Sequence, residues 1–256
     1  MKKIKMFCMF FVLAILLIPV CFADSETDAF FSTMNIKMEE LPDMNLKISN
    51  TEITQKLFVA IMGENQSYFK GENMPADSAS WYDAIYFCNL LSEKLGLEPV
   101  YIVNGNTDVS KWNYTPLRGK SIDGNIAQDL DVSGFRLPTI KEWSYAALGG
   151  EMYDFAGSDT VDTVAWHWQN SDYKPHEVAQ KKPNKYNLYD MSGNLIEWVW
   201  ESTDGKANGK RRIVCGGCWG MYADKMKLND FYYYPTKSRE KFIGFRIVCK
   251  SSKNET

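Results

Sequence analysis

The chain begins with three lysines, Lys2, Lys3 and Lys5, followed by an unbroken apolar run over residues 6–18. Beyond it the hydrophobic pattern keeps helical spacing in three places. Leu57, Phe58 and Ile61 share one face, with Thr54 placed to cap the helix and Gly63 to end it. Ala84, Phe87, Cys88, Leu91 and Leu95 form a second stripe. Ser80-Trp81-Tyr82-Asp83 opens that stripe with the outline of a capping box, and Gly96 stops it. Thr139-Ile140-Lys141-Glu142 caps a third helix, with Trp143, Ala146 and Ala147 inward and Gly149-Gly150 closing it. Residues 45–54 alternate apolar and polar and read as a strand entering a helix. Residues 101–132 read as a loop or short hairpin. Residues 211–214 and 245–248 read as two strands, because Arg-Ile-Val-Cys occurs in both, ending at Cys215 and Cys249. Few helices, short antiparallel strands and much irregular chain define an α+β, loop-rich domain.

At 256 residues and 45% hydrophobic content the chain can build one well-cored domain. A net charge of -3 gives no general pull toward nucleic acid. Residues 1–23 read as an export leader. Two ends for it are open. Cys21-Phe22-Ala23 before Asp24 is a loose small-residue cleavage site. Ile18-Pro19-Val20-Cys21 resembles a relaxed bacterial lipoprotein box, with Cys21 as the acylated first residue. A retained membrane helix fits least, given the short run and Pro19. Residues 24–44 are polar and read as a tether, residues 45–250 as the domain, and residues 251–256 as a tail.

One stretch carries more than pattern. Leu188-Tyr189-Asp190-Met191-Ser192-Gly193-Asn194-Leu195-Ile196-Glu197-Trp198 joins a glycine turn, two carboxylates and a Trp-rich exit through Trp198 and Trp200. Gly134-Phe135-Arg136-Leu137-Pro138-Thr139 precedes it and Gly244-Phe245-Arg246 follows it. Together, from about Asn45 to Lys250, these phrases resemble the formylglycine-generating-enzyme (sulfatase-modifying factor) family, which has an elaborated C-type lectin fold.

That resemblance implies a structural calcium held by Asp190, Gly193, Leu195 and Glu197, since calcium takes hard oxygen ligands and a glycine turn aims carbonyls inward. The alternative is that Asp190 and Glu197 bond turn amides. The family's other calcium site falls near residues 170–179, where the expected ligands are not recognisable. Catalytic members bind copper through two cysteines five residues apart, after a Gly-Gly-Ser strand end. Here that frame is Cys215-Gly216-Gly217-Cys218 running on to Met226, and the two thiol positions carry Met221 and Met226. A thioether has no proton to lose and cannot serve as a thiolate ligand. No copper and no oxidation of a substrate cysteine are expected.

The remaining chemistry reads as structural. Cys215-Gly-Gly-Cys218 follows a strand, not the helix start that redox Cys-x-x-Cys motifs use. Cys215 and Cys249 end matching strands and would bridge if the strands are neighbours. Cys88 lies on an apolar helix face. His167 and His176 lack a partner at recognisable spacing. Arg136 and Arg246 read as pairing with carboxylates or carbonyls.

What stands out is residues 220–237. Trp219, Ala223, Leu228, Pro235 and Arg239 look like frame. The candidate ligand-binding residues are Gly220, Met221, Tyr222, Asp224, Lys225, Asn229, Asp230, Phe231, Tyr232, Tyr233, Tyr234, Thr236 and Lys237. Tyr, Asp and Asn interspersed on a loop resemble a paratope, because Tyr gives contact area at little entropic cost. Four consecutive aromatics cannot all face inward on one strand. Tyr222, Tyr232 and Tyr234 are expected outward, and Trp198 and Trp219 in the frame. The arrangement resembles the variable proteins of diversity-generating retroelements, whose hypervariable C-terminal segment binds ligand. The expectation is an exported protein, lipid-anchored at the bacterial cell surface, that binds a protein or cell-surface ligand without catalysis. The rival is a family oxidase acting on a substrate cysteine, and a third reading is a scaffold module without a specific ligand.

Overall fold

A computed structural model describes residues 20–119 and 121–251. The apolar leader and the side chain of Cys21 lie outside the described residues. Helix α1 spans Val20–Thr33, and β1 (Met38–Leu41) pairs antiparallel with β2 (Leu46–Ser49). Phe31 and Ile36 are buried. Residues 24–44 are therefore not a tether, as their polarity suggested, but an integral edge of the domain. The short apolar pair Phe30-Phe31 supplies the anchor, with Phe31 packed edge-on against Phe135 at 5.4 Å.

The helices follow their predicted signals. Helix α2 (Gln55–Met62) starts at Thr54, whose side chain accepts from the Leu57 N–H, and ends at Gly63 in the left-handed region. Helix α3 (Trp81–Lys94) carries the full capping box of Ser80 and Asp83. Helix α4 (Ile140–Leu148) carries the second, from Thr139 and Glu142. The predicted hairpin is β3 (Tyr101–Val103) against β4 (Ile126–Gln128). Helix α5 is one turn, Val161–Val164.

Strands β5 (Ile196–Ser202), β6 (Arg211–Cys215), β7 (Phe231–Pro235) and β8 (Ile243–Gly244) form a four-stranded sheet in the order β7-β6-β5-β8. Strand β9 (Val248–Lys250) leaves it and joins β2, so the chain's last strand closes on its first hairpin. The expected strand over 245–248 is thus split, with the buried residues 245–247 lying between β8 and β9. Sheet and helices are stitched by indoles. The Trp81 ring N–H donates to Val199 O at 3.0 Å and the Trp198 ring N–H to Ala79 O at 2.9 Å. Arg212 lies 3.7 Å over the Trp81 ring, which shields a buried guanidinium with a π face. This packing fixes β5 and β6, and with them the connection from 216 to 230 that carries the site. Among the described residues no helix is long and apolar enough to cross a membrane.

Candidate ligand-binding surface

The connection after β6 opens on two glycines for a steric reason. At Gly217, φ is +70° and an added Cβ would lie 2.4 Å from Met226 Cβ. That closeness lets Met226 sit fully buried beneath the loop, beside Phe155 and Val164. Trp219 pins the next turn. Its N–H donates to Asn194 O at 2.8 Å, its carbonyl accepts from the Ser171 hydroxyl at 2.9 Å, and its ring meets Phe69 edge-on at 5.8 Å. Met221 is half-buried and its carbonyl accepts from the Trp168 N–H at 2.9 Å. Leu228 is buried and bonds Asp154 O through its N–H at 3.0 Å. Between these pins the chain is outward. Gly220, Tyr222, Asp224, Lys225 and Asn229 are exposed, with Tyr222 at 56%.

Strand β7 then alternates. Phe231 and Tyr233 point outward, 42% and 51% exposed, while Tyr232 and Tyr234 are half-buried against the main core. The expected outward placement of Tyr232 and Tyr234 is corrected by one register step, which exchanges the two faces of a strand. The Tyr232 hydroxyl donates to Lys225 O at 2.9 Å and the Tyr234 ring meets Phe242 at 5.7 Å, so both hold the frame. Thr236 is also corrected: it is buried, and both its N–H and its hydroxyl donate to Lys210 O, at 2.9 and 3.0 Å. Asp230 is half-buried, accepting from the Lys227 N–H at 3.1 Å, and Lys237 is exposed.

Neighbouring chain adds aromatics that sequence reasoning passed over. Trp168 lies 4.6 Å from Tyr173 and 5.9 Å from Tyr222, ring to ring, and all three are exposed. Lys241 lies over Tyr68, itself exposed, at 5.2 Å. The signal was present in Trp168-Gln169-Asn170-Ser171-Asp172-Tyr173, which has the same aromatic and small-polar mixture as residues 220–237. The segment therefore presents aromatics in two places: Tyr222 with Trp168 and Tyr173, and Phe231 with Tyr233 on β7.

Of the expected calcium ligands, Glu197 has other partners. Glu197 is fully buried, and each of its oxygens receives two donors. Oε1 takes Arg246 Nε and Nη2, at 2.9 and 2.7 Å. Oε2 takes Arg246 Nε and the Trp143 ring N–H, both at 2.7 Å. The single Arg246 Nε–H is shared between the two oxygens, so three N–H groups hold the carboxylate and the guanidinium neutralises it. The Leu195 N–H donates to Glu52 Oε1 at 3.0 Å, and the Gly193 N–H to Gly216 O at 2.9 Å. An added Cβ at Gly193 would meet Trp166 O at 2.3 Å, so the turn needs glycine for close packing. Asp190 accepts from the Ala179 N–H at 2.8 Å, and its Oδ1 is buried without a partner. Burial pushes its carboxyl up to about 6, and pushes the buried Glu52 carboxyl well above the carboxylate range. Among the described residues no group of three or more His, Cys, Asp or Glu is placed to hold a metal. Glu197, already neutralised by Arg246, does not fit a calcium ligand, while Asp190 Oδ1 is left open. Arg246 supplies the positive charge at Glu197, as its reading as a carboxylate partner required.

Cys88, Cys215 and Cys218 are buried thiols. Burial pushes Cys218 up to about 12 and raises Cys88 and Cys215 further from ionisation, the opposite of a redox Cys-x-x-Cys. Cys215 in β6 and Cys249 in β9 belong to different sheets, and the bridge considered between them is not formed. His167 does find a carboxylate, Asp162, at 2.8 Å from Nε2, and His176 stacks on Trp166 at 3.7 Å.

The sulfatase-modifying factor enzyme 1-like domain model matches residues 27–251. The chain belongs to this family. Its fold is the formylglycine-generating-enzyme-type C-type lectin fold. Treponema denticola variable protein 1 superposes with a TM-score of 0.72 at 35% identity, covering 80% of this chain and 84% of that one. The chaperone protein LppX of Paenibacillus barcinonensis is 37% identical over 223 residues, 77% of this chain and 76% of the relative. An inactive C-alpha-formylglycine-generating enzyme 2 of Mus musculus is 32% identical over 105 residues, 36% of this chain and 33% of the relative. The family match begins at residue 27, in keeping with α1 and β1 as parts of the domain.

Proposed function

We propose that this protein is a non-catalytic ligand-binding member of the family, exported and lipid-anchored through Cys21, whose ligand is a protein or another cell-surface molecule. The observation that carries the reading is the division within residues 220–237. Trp219, Met226 and Leu228 are buried as pins, while Tyr222, Phe231 and Tyr233 stand exposed between and beyond them. Exposed tyrosines on a rigid frame supply contact area that loses little entropy on binding. Thioethers at the two expected thiol positions remove the thiolate chemistry of the catalytic relatives. Similarity to a variable protein and to an inactive enzyme supports the same reading.

The test is selection. The mature chain is displayed on yeast with Tyr222, Asp224, Lys225, Asn229, Phe231 and Tyr233 randomised. The library is then panned against hen lysozyme, with the parent chain panned alongside as the blank. A majority of folded members, with lysozyme binders among them, is the expected result. A library that is mostly unfolded, or folded and empty of binders, overturns the reading.

A further inference from the structure

Strand β7 ends the order β7-β6-β5-β8 and pairs only with β6. Its ladder can be assigned from two bonds. The Thr236 N–H donates to Lys210 O, and the Thr203 N–H donates to Arg211 O at 3.2 Å. Arg211 therefore turns its backbone toward β5, and Arg212 and Val214 turn theirs toward β7. With Arg212 opposite Tyr234 and Val214 opposite Tyr232, the ladder uses the backbones of Tyr232 and Tyr234. Phe231 and Tyr233 direct their N–H and C=O groups to the open edge. Among the described residues no strand or loop pairs with that edge.

Such an edge is a template for another chain, and natural sheets blunt it with charge, proline, a bulge or a covering loop. Here the five residues are Phe-Tyr-Tyr-Tyr-Pro, with no charge and with proline only at the end. Phe231 and Tyr233 also present their exposed side chains next to it. A strand laid along this edge gains main-chain bonds at both residues and alternate aromatic contacts.

Charge identifies the occupant. Arg211 sits opposite Pro235, Lys210 precedes it, and Lys237 follows Thr236, so three exposed cations gather at one end of β7. Arg211 lies over the Tyr233 ring at 4.1 Å, and none of the three is in an ion pair among the described residues. A second copy paired antiparallel would bring them Asp230, already bonded into its own turn, and Asp224, already paired with Lys225 at 3.1 Å. An acidic segment answers all three. We infer that β7 accepts, as an added strand, an extended peptide segment of a partner protein that carries acidic residues at the end lying beside Pro235. The inference rests on residues 220–237 being the ligand surface, and names how that surface binds and what it prefers.

The probe is a display library of linear ten-residue peptides selected on the full mature chain. Selected peptides are then synthesised with free amides and with alternate amides N-methylated. The expected result is peptides enriched in Asp and Glu at one end. N-methylation in the pairing register should weaken binding at least tenfold. Lys210→Glu with Lys237→Glu should weaken it several-fold, less so at high salt. Tyr233→Pro removes an edge N–H without touching the β6 ladder and should abolish binding. Phe231→Pro serves if that variant unfolds. Amide exchange should slow at Phe231 and Tyr233 when peptide is bound. Peptides lost with Tyr222→Ala but indifferent to N-methylation would overturn strand addition and leave the ligand surface standing. No selected peptides at all would overturn both readings. A concentration-dependent dimer abolished by Tyr233→Pro would show that a second copy is the occupant and would overturn the proposal.

Discussion

Glu197 and Arg246 meet face to face in the centre of the domain, both fully buried, with three guanidinium contacts of 2.7–2.9 Å. Arg246 also donates to Ser49 O at 3.2 Å and Tyr189 O at 2.9 Å. The pair thereby joins β2, the 188–198 turn and the final Gly-Phe-Arg phrase. Removing one partner of a buried, hydrogen-bonded ion pair leaves the other charge uncompensated, at a cost of roughly 3–5 kcal/mol.

Arg246→Met and Glu197→Gln should each therefore lower unfolding free energy by that order. Because Arg246 already neutralises Glu197, chelator should leave the melting temperature of the parent unchanged. A melt lowered by chelator and restored by calcium would contradict this assignment.

Acid should act on a different pair. Glu142 is part-buried and caps α4. Burial alone would raise its carboxyl, but Arg136, bonded to both oxygens at 2.7 Å, and Thr139 outweigh it and lower it. A carboxyl depressed in the folded state contributes stability above its unfolded value, about 4.3. That contribution is lost as pH falls through the folded value. Unfolding free energy should fall below about pH 4.3, and Glu142→Gln should flatten that limb while lowering the plateau at neutral pH. Urea titrations between pH 3 and 7 check it, and an unchanged acid limb in Glu142→Gln would refute the role.

Catalysis of the family type should be absent. Met226 is fully buried and Met221 half-buried, and neither offers a thiolate. Purified protein, copper and a sulfatase-motif peptide should yield no formylglycine by mass spectrometry. Product above a protein-free control would restore the enzyme reading.

Local signals made much of the fold legible. Ser80 with Asp83 and Thr139 with Glu142 specify helix starts within four residues, and both capping boxes form as read. What escaped depends on distant partners. Residues 24–44 look like a tether because their few apolar groups are scattered, yet Phe31 finds Phe135 across the fold. The duplicated Arg-Ile-Val-Cys suggested two like strands, but β9 pairs with β2 in another sheet, a partner about 200 residues back in the chain. In β7, composition announced that some aromatics must be outside. Which ones was decided by the register with β6, which no local pattern encodes. The partner of Glu197 was not legible, because Arg246 lies 49 positions from the carboxylate it neutralises.

The exposed side chains of residues 220–237 are separable from the frame beneath them. Urea unfolding of one combined variant, Tyr222→Ser with Phe231→Thr and Tyr233→Thr, tests it most directly. Threonine keeps strand preference at the two β7 positions, so the change reads the loss of side chains rather than of backbone propensity. With each surface substitution costing within about 0.5 kcal/mol, the combined variant should lose less than about 1.5 kcal/mol. Loss of roughly 3–5 kcal/mol per position, the cost of cutting a core aromatic, would place these residues in the core and contradict the account.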